Sequence, residues 1–106
     1  MSNFSEHCDL CKLYIERNIV TTLHYEDERY IIVDCLICRT PMAVKKAHEA
    51  SFDSNAKREV AKLFITLFGS SGVIDWEQRR IPDHAHCHLR PKAFPNTIAE
   101  PLIRYV

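Results

Sequence analysis

The chain has 106 residues, room for a single domain around one core. Fourteen basic residues offset fourteen acidic ones, so no overall charge favours long nucleic acid or an anionic membrane surface. No apolar run approaches the roughly 20 residues of a bilayer span, and Met1 to Val20 lacks a basic stretch leading into an apolar one, which predicts a chain that stays in a reducing cytoplasm.

In chain order, residues 1–18 hold the first C-x-x-C pair, Cys8 and Cys11, and predict a short metal knuckle leading into a turn. In a reducing compartment such a pair points to metal or redox chemistry before structural disulfides. Thr21 to Tyr25 and Arg29 to Val33 are rich in β-formers and flank the acidic turn Glu26-Asp27-Glu28, a hairpin signal. Asp34 to Thr40 carries the second pair, Cys35 and Cys38, in a loop. A third strand is expected over Met42 to Lys46, followed by His48. Asp53 and Ser54 can cap a helix from about residue 55 to Phe68, with Gly69 as its stop. Val60, Leu63, Phe64 and Leu67 recur at helical spacing and form its apolar stripe, while Lys57, Arg58 and Lys62 fall on the solvated side. Gly72 to Glu77 reads as a fourth strand and Asp83 to Leu89 as a fifth. Residues 92–106, with Pro95 and Pro101, read as an irregular C-terminal tail. The order β-β-β-α-β-β predicts an α+β domain over 1–106, a five-stranded antiparallel sheet with one main helix. With only two glycines, the chain has no Gly-rich phosphate loop.

The fifth strand concentrates the chemistry. In His84-Ala85-His86-Cys87-His88-Leu89-Arg90, three of the six histidines alternate with small or apolar residues. Side chains at i, i+2 and i+4 of a strand share a face, about 6.6 Å apart along the chain. The pattern predicts Ala85, Cys87 and Leu89 in the core and a row of imidazoles opposite, with His86 lining a solvent-accessible cleft. A neutral imidazole can attack phosphorus and form a covalent phosphoramidate, dividing one displacement into two easier ones. Its neighbours can then neutralise charge on the phosphoryl oxygens. The same row could also hold a metal ion through a His-x-His pair, or be a strand of satisfied histidines. The two C-x-x-C pairs could by themselves make a four-cysteine zinc ribbon, and Cys35 and Cys38 could equally be free thiols packed as small hydrophobes. His7 and His24 read as surface residues, Cys87 as core. Asp83 could orient His48 or cap a turn.

This order of elements, ending in His-x-His-x-His, resembles the histidine triad family of nucleotide hydrolases and transferases. The resemblance runs from about Cys8 to Pro91. Val44-Lys45-Lys46-Ala47-His48 is similar to the family's strand followed by Pro-Lys-x-His, with Lys45 in place of the proline. Cys8-Asp9-Leu10-Cys11 is similar to the zinc knuckle of many bacterial members. Trp76-Glu77 followed by Asp83-His84-Ala85-His86 is similar to one subgroup. The chain departs from the family at Arg90, where the motif ends in an apolar residue, and in lacking the Asn- and Gly-Gln-containing stretch before the triad. The resemblance implies activity on a nucleotide phosphoramidate or dinucleoside polyphosphate through a nucleotidyl-histidine. It makes His86 the nucleophile and His88 a catalytic and phosphate-contacting residue, and places Leu36 and Ile37 beside the nucleobase. It implies a structural zinc on Cys8, Cys11, His48 and His84, and a homodimer. The alternative of another class is a zinc-stabilised nucleotide-binding or protein-interaction module without catalysis.

Overall fold

The computed structural model describes residues 8–91 and 99–106, so His7 lies outside the described residues. Helix α1 spans Asp9–Ile15 and starts directly after Cys8. It stands where the sequence suggests a short knuckle leading into a turn. A helical turn serves the same purpose, because residues three apart lie on one face and bring both thiols together. Strands β1 (Leu23–Glu26), β2 (Tyr30–Asp34) and β3 (Pro41–Lys45) form an antiparallel meander. The first hairpin closes where Asp27 Oδ1 accepts the backbone N–H groups of Arg29 and Tyr30, each at 2.8 Å.

Helix α2 covers Ser54–Phe68. The Asp53 carboxylate caps it by accepting the Ala56 N–H at 2.8 Å, and Gly69 ends it at φ +85°, a left-handed conformation that suits glycine. Its buried stripe is Ala56, Val60, Ala61 and Phe64, with Leu63 partly covered; Leu67 belongs to the exposed surface. The small Ala56 and Ala61, which a count of large apolar residues passes over, shift the stripe toward the start of the helix.

Three further strands, β4 (Val73–Asp75), β5 (His86–Arg90) and β6 (Ala99–Pro101), complete a six-stranded antiparallel sheet in the order β1-β2-β3-β5-β4-β6. The sixth strand is additional to the five expected. Of the expected irregular tail, residues 92–98 lie outside the described residues, and the remainder forms regular structure. A 3-10 helix, Leu102–Tyr105, follows β6, and Leu102 is fully buried among the residues that line α2. Glu100 holds this segment by accepting hydrogen bonds from Trp76 Nε1 and the Tyr105 hydroxyl, both at 2.7 Å. Among the described residues, no helix is long and apolar enough to cross a membrane.

Both faces of the sheet are covered. On one, Tyr30, Ile32, Ala43, Ile74, Ala85 and Cys87 pack with Val60 and Phe64 of α2. On the other, Ile31, Val33 and Val44 pack with Cys8, Leu10, Cys11 and Tyr14 of the α1 region. Strand β5 lies between β3 and β4, with His86 opposite Val44 and His88 opposite both Met42 and Asp75. Ala85 and Cys87 face the core as expected, whereas Leu89 is only half-buried. The imidazole face is not an open cleft: His84, His86 and His88 are 0%, 5% and 8% exposed. Cys8 and Cys11 reach His84, and Cys35 and Cys38 of the β2–β3 loop reach His88, contacts that alternation along one strand cannot reveal. Truncating the fully buried ring in Phe64→Ala should cost about 3–5 kcal/mol of stability. Urea denaturation checks this, and a loss under about 1 kcal/mol would mean that α2 does not seat the sheet in this way.

Candidate functional site

Two groups of metal-ligating side chains stand on the histidine face. The first is Cys8, Cys11, His48 and His84. Cys8 and Cys11 come from the start of α1, His48 from the loop after β3, and His84 from the turn before β5. Cys8 Sγ lies 3.4 Å from His84 Nδ1. Cys11 Sγ lies 3.3 Å from His48 Nδ1 and 3.5 Å from His84 Nδ1, and the two Nδ1 atoms are 3.1 Å apart. Both outer nitrogens face oxygen atoms. His84 Nε2 donates to the Lys45 carbonyl at 2.7 Å, which leaves the Nδ1 lone pair pointing inward. His48 Nε2 stands 3.5 Å from Asp83 Oδ2, so Asp83 sits beside His48, one of the two roles its position allowed. The Tyr14 hydroxyl donates to Cys11 Sγ at 3.6 Å. These four side chains could hold one metal ion.

The reason His84 can join this cluster is local. The regular strand starts only at His86, the chain bends at His84, and the Ala85 N–H bonds the Glu49 carbonyl of the loop after β3 at 2.6 Å. His84 therefore stands before the regular strand that carries His86 and His88.

His86 and His88 remain on the strand, with ring centroids 5.8 Å apart and planes nearly perpendicular. His86 Nδ1 lies 2.8 Å from the His84 carbonyl oxygen. A carbonyl can only accept, so Nδ1 carries the proton and Nε2 the lone pair. Burial lowers the His86 pKa below 6.5 and keeps the ring neutral. Burial, helped by the nearby Arg90 guanidinium, takes His88 down to about 4. His88 Nδ1 is buried with no hydrogen-bond partner among the described residues.

Beside His88 lies a charged group that the sequence reading missed. Asp75 is fully buried, and its Oδ2 accepts from Arg79 Nη1 at 3.0 Å and Arg90 Nε at 3.3 Å. Burial alone would raise its pKa, but the Glu77 N–H and the two arginines outweigh that and hold it low. The available signal was an acid inside the apolar run Val73-Ile74-Asp75-Trp76. Arg90 Nη1 also reaches Thr40 Oγ1 at 3.4 Å, tying the end of β5 to the β2–β3 loop.

That loop carries the second group, Cys35 and Cys38, which meet His88 rather than Cys8 and Cys11. The four cysteines thus fall in two separate groups, against a single ribbon. Burial opposes ionisation of Cys38, yet hydrogen bonds from Thr40, Cys35 and Arg90 bring it down to about 7. Leu36 and Ile37 stand at the tip of the loop, each 61% exposed. Cys87 is sealed in the core, where burial pushes its thiol well up. His24 is half-buried, 2.7 Å from Asp34 Oδ1, rather than a loose surface residue. A cavity of about 570 Å³ opens beside α2, lined by Phe52, Lys57, Trp76, Gln78, Glu100 and Arg104 among others, and contains none of the triad histidines.

No family model matches the sequence, and no curated protein does. Among solved structures, the chain is similar to a HIT family hydrolase from Clostridium thermocellum, with 20% identity, a TM-score of 0.64, and 89% of this chain and 99% of that one covered. It is also similar to a histidine triad protein from Clostridium difficile, with 20% identity, a TM-score of 0.60, and 87% and 96% covered. The chain has the histidine triad fold.

If the first cluster holds an ion, its removal should loosen α1 from the sheet. A chelator should lower the unfolding temperature of the wild-type protein, and Cys11→Ser should start low and lose little more on chelation. Equal unfolding temperatures for wild type and Cys11→Ser, with and without chelator, would show that these side chains hold no stabilising ion.

Proposed function

We propose that the protein is a nucleotide hydrolase or nucleotidyl transferase that works through a nucleotidyl-His86 intermediate. One observation carries the reading: the His84 carbonyl fixes the tautomer of His86, leaving a neutral ring with its Nε2 lone pair free at pH 7. The likeness in fold to a HIT family hydrolase supports it.

In this reading, His86 Nε2 attacks the α-phosphorus of a nucleotide phosphoramidate or dinucleoside polyphosphate. An N–P bond forms as the bond to the amine or the second nucleotide breaks, and the leaving group takes up a proton. Attack makes the ring cationic, and the carbonyl 2.8 Å from Nδ1 stabilises that charge without having to reorient. Water, or an acceptor hydroxyl, then displaces the nucleotide from Nε2. His88, neutral at this pH, hydrogen-bonds a non-bridging oxygen. Arg90 follows it on the same strand face and offers positive charge near the phosphate, where the motif has an apolar residue. Leu36 and Ile37 would cover the base.

The ion of the first cluster is proposed to be zinc, held by Cys8, Cys11, His48 and His84. Zinc bonds of about 2.3 Å to sulfur and about 2.0–2.1 Å to nitrogen set tetrahedral ligands about 3.5 Å (S to N) and about 3.3 Å (N to N) apart. The distances between these atoms, 3.3–3.5 Å and 3.1 Å, fit that spacing. Such a closed site is structural. The homodimer and the cytoplasmic location belong to the same proposal.

Turnover of adenosine phosphoramidate and diadenosine polyphosphates tests the reading. His86→Ala should lower kcat by about 10⁴-fold or more while keeping the fold and the metal; His88→Ala should cost about 10²-fold. The His86 pKa is depressed, so the reactive neutral form persists at and above neutrality, and the rate should fall only as pH drops below 6.5. A protein that binds nucleotide and turns none over would instead be a zinc-stabilised binding module. Activity that survives His86→Ala would remove His86 from the chemistry.

A further inference from the structure

Cys35, Cys38 and His88 place one ligand atom each within 4.8 Å of one another, apart from the four residues of the first cluster. We infer that they form a second metal site, for a thiophilic ion such as Zn²⁺, built across the β2–β3 loop and strand β5.

The loop has the shape that such a site needs. The Cys35 N–H bonds the Thr40 carbonyl at 2.8 Å, and the Arg39 N–H bonds the Cys35 carbonyl at 2.9 Å. Arg39 adopts φ +62°, turning the chain back directly after Cys38. Both sulfurs are therefore held on one tight turn, the way a C-x-x-C pair supplies two ligands. The third ligand comes from the facing strand. Met42, just past the loop, is paired with His88 in the sheet, so register alone brings the imidazole to the mouth of the turn. An independent observation points to a ligand there: His88 Nδ1 is buried and makes no hydrogen bond among the described residues. Buried polar atoms normally find partners, and an unpaired one needs an explanation. An ion beside His88 gives this imidazole a role in its buried setting.

The donor set decides the ion. Two thiolates and an imidazole suit Zn²⁺ or Cu⁺ and offer nothing to Mg²⁺ or Ca²⁺, which require oxygen ligands. Three protein ligands leave zinc a fourth, open position. Binding of Zn²⁺ by neutral thiols releases one proton from each cysteine, so two thiolates balance the charge of the ion. One consequence rests on the function proposed above: an ion held by one ring nitrogen of His88 leaves only the other to contact a phosphate, so filling the site should change nucleotide turnover.

The test uses full-length protein, reduced and with its resident metal left in place, equilibrated with Co²⁺ in the absence of nucleotide. Wild type should bind one more equivalent per chain than the double variant C35S/C38S, with thiolate-to-cobalt charge-transfer absorption accompanying that equivalent. His88→Gln should weaken the same equivalent at least tenfold and serves as a second variant if the double variant misfolds, which circular dichroism reveals. Equal Co²⁺ uptake by wild type and C35S/C38S, or wild-type uptake without a thiolate band, overturns the site. A change in nucleotide turnover on adding Zn²⁺, lost in C35S/C38S, supports the same site and is scored separately. Two-site binding with turnover unchanged leaves the metal site standing and bears only on the function proposed above.

Discussion

His84 makes polar contacts in three directions, and the arrangement of the histidine face depends on all three. Its Nδ1 faces Cys8, Cys11 and His48, its Nε2 donates to the Lys45 carbonyl, and its own carbonyl receives the His86 Nδ1–H. The side chain is fully buried, so each contact replaces one that water would otherwise make. One residue thereby joins the N-terminal helix, the end of β3 and the ring of His86. Loss of the inward contacts would free α1; loss of the carbonyl contact would free the His86 tautomer.

The burial has an electrostatic consequence. Three imidazoles in a covered face are held neutral, because desolvation penalises the charged form. Arg90 and Arg79 put fixed positive charge at the His88 end, and Asp75 partly balances it from within the sheet. A neutral ring beside guanidinium groups suits an incoming anion better than an imidazolium would, since it keeps a lone pair while the arginines supply the attraction. The charge pattern and the fixed tautomer thus point to the same use of His86.

Much of this was legible in the sequence because it depends on short-range patterns. The Asp53 cap, the Gly69 stop, the hairpin at Glu26-Asp27-Glu28 and the inward face of Ala85 and Cys87 are all local. The meeting of Cys8, Cys11, His48 and His84 is not local, and came from resemblance. What periodicity could not supply were contacts between distant segments. Cys8 and Cys11 turn toward His84, β6 pairs with β4 through Val73 and Pro101, and Cys35 and Cys38 turn toward His88. A lone buried acid such as Asp75 carries no periodic signal, and its role emerges only when Arg79 and Arg90 are placed beside it. The bend at His84 is hidden for a related reason: alternation alone predicts a straight strand there, whereas the His84 ring is directed to the cysteines.

The proposal that His86, and neither of its neighbours, takes the nucleotide can be examined at the covalent step. Rapid quenching of a reaction with labelled adenosine phosphoramidate, followed by peptide mass analysis under alkaline conditions that preserve phosphoramidates, tests it most directly. A nucleotidyl group on His86 that is lost in acid is the expected result. Label on His84 or His88, or turnover with no covalent species at any quench time, would contradict it.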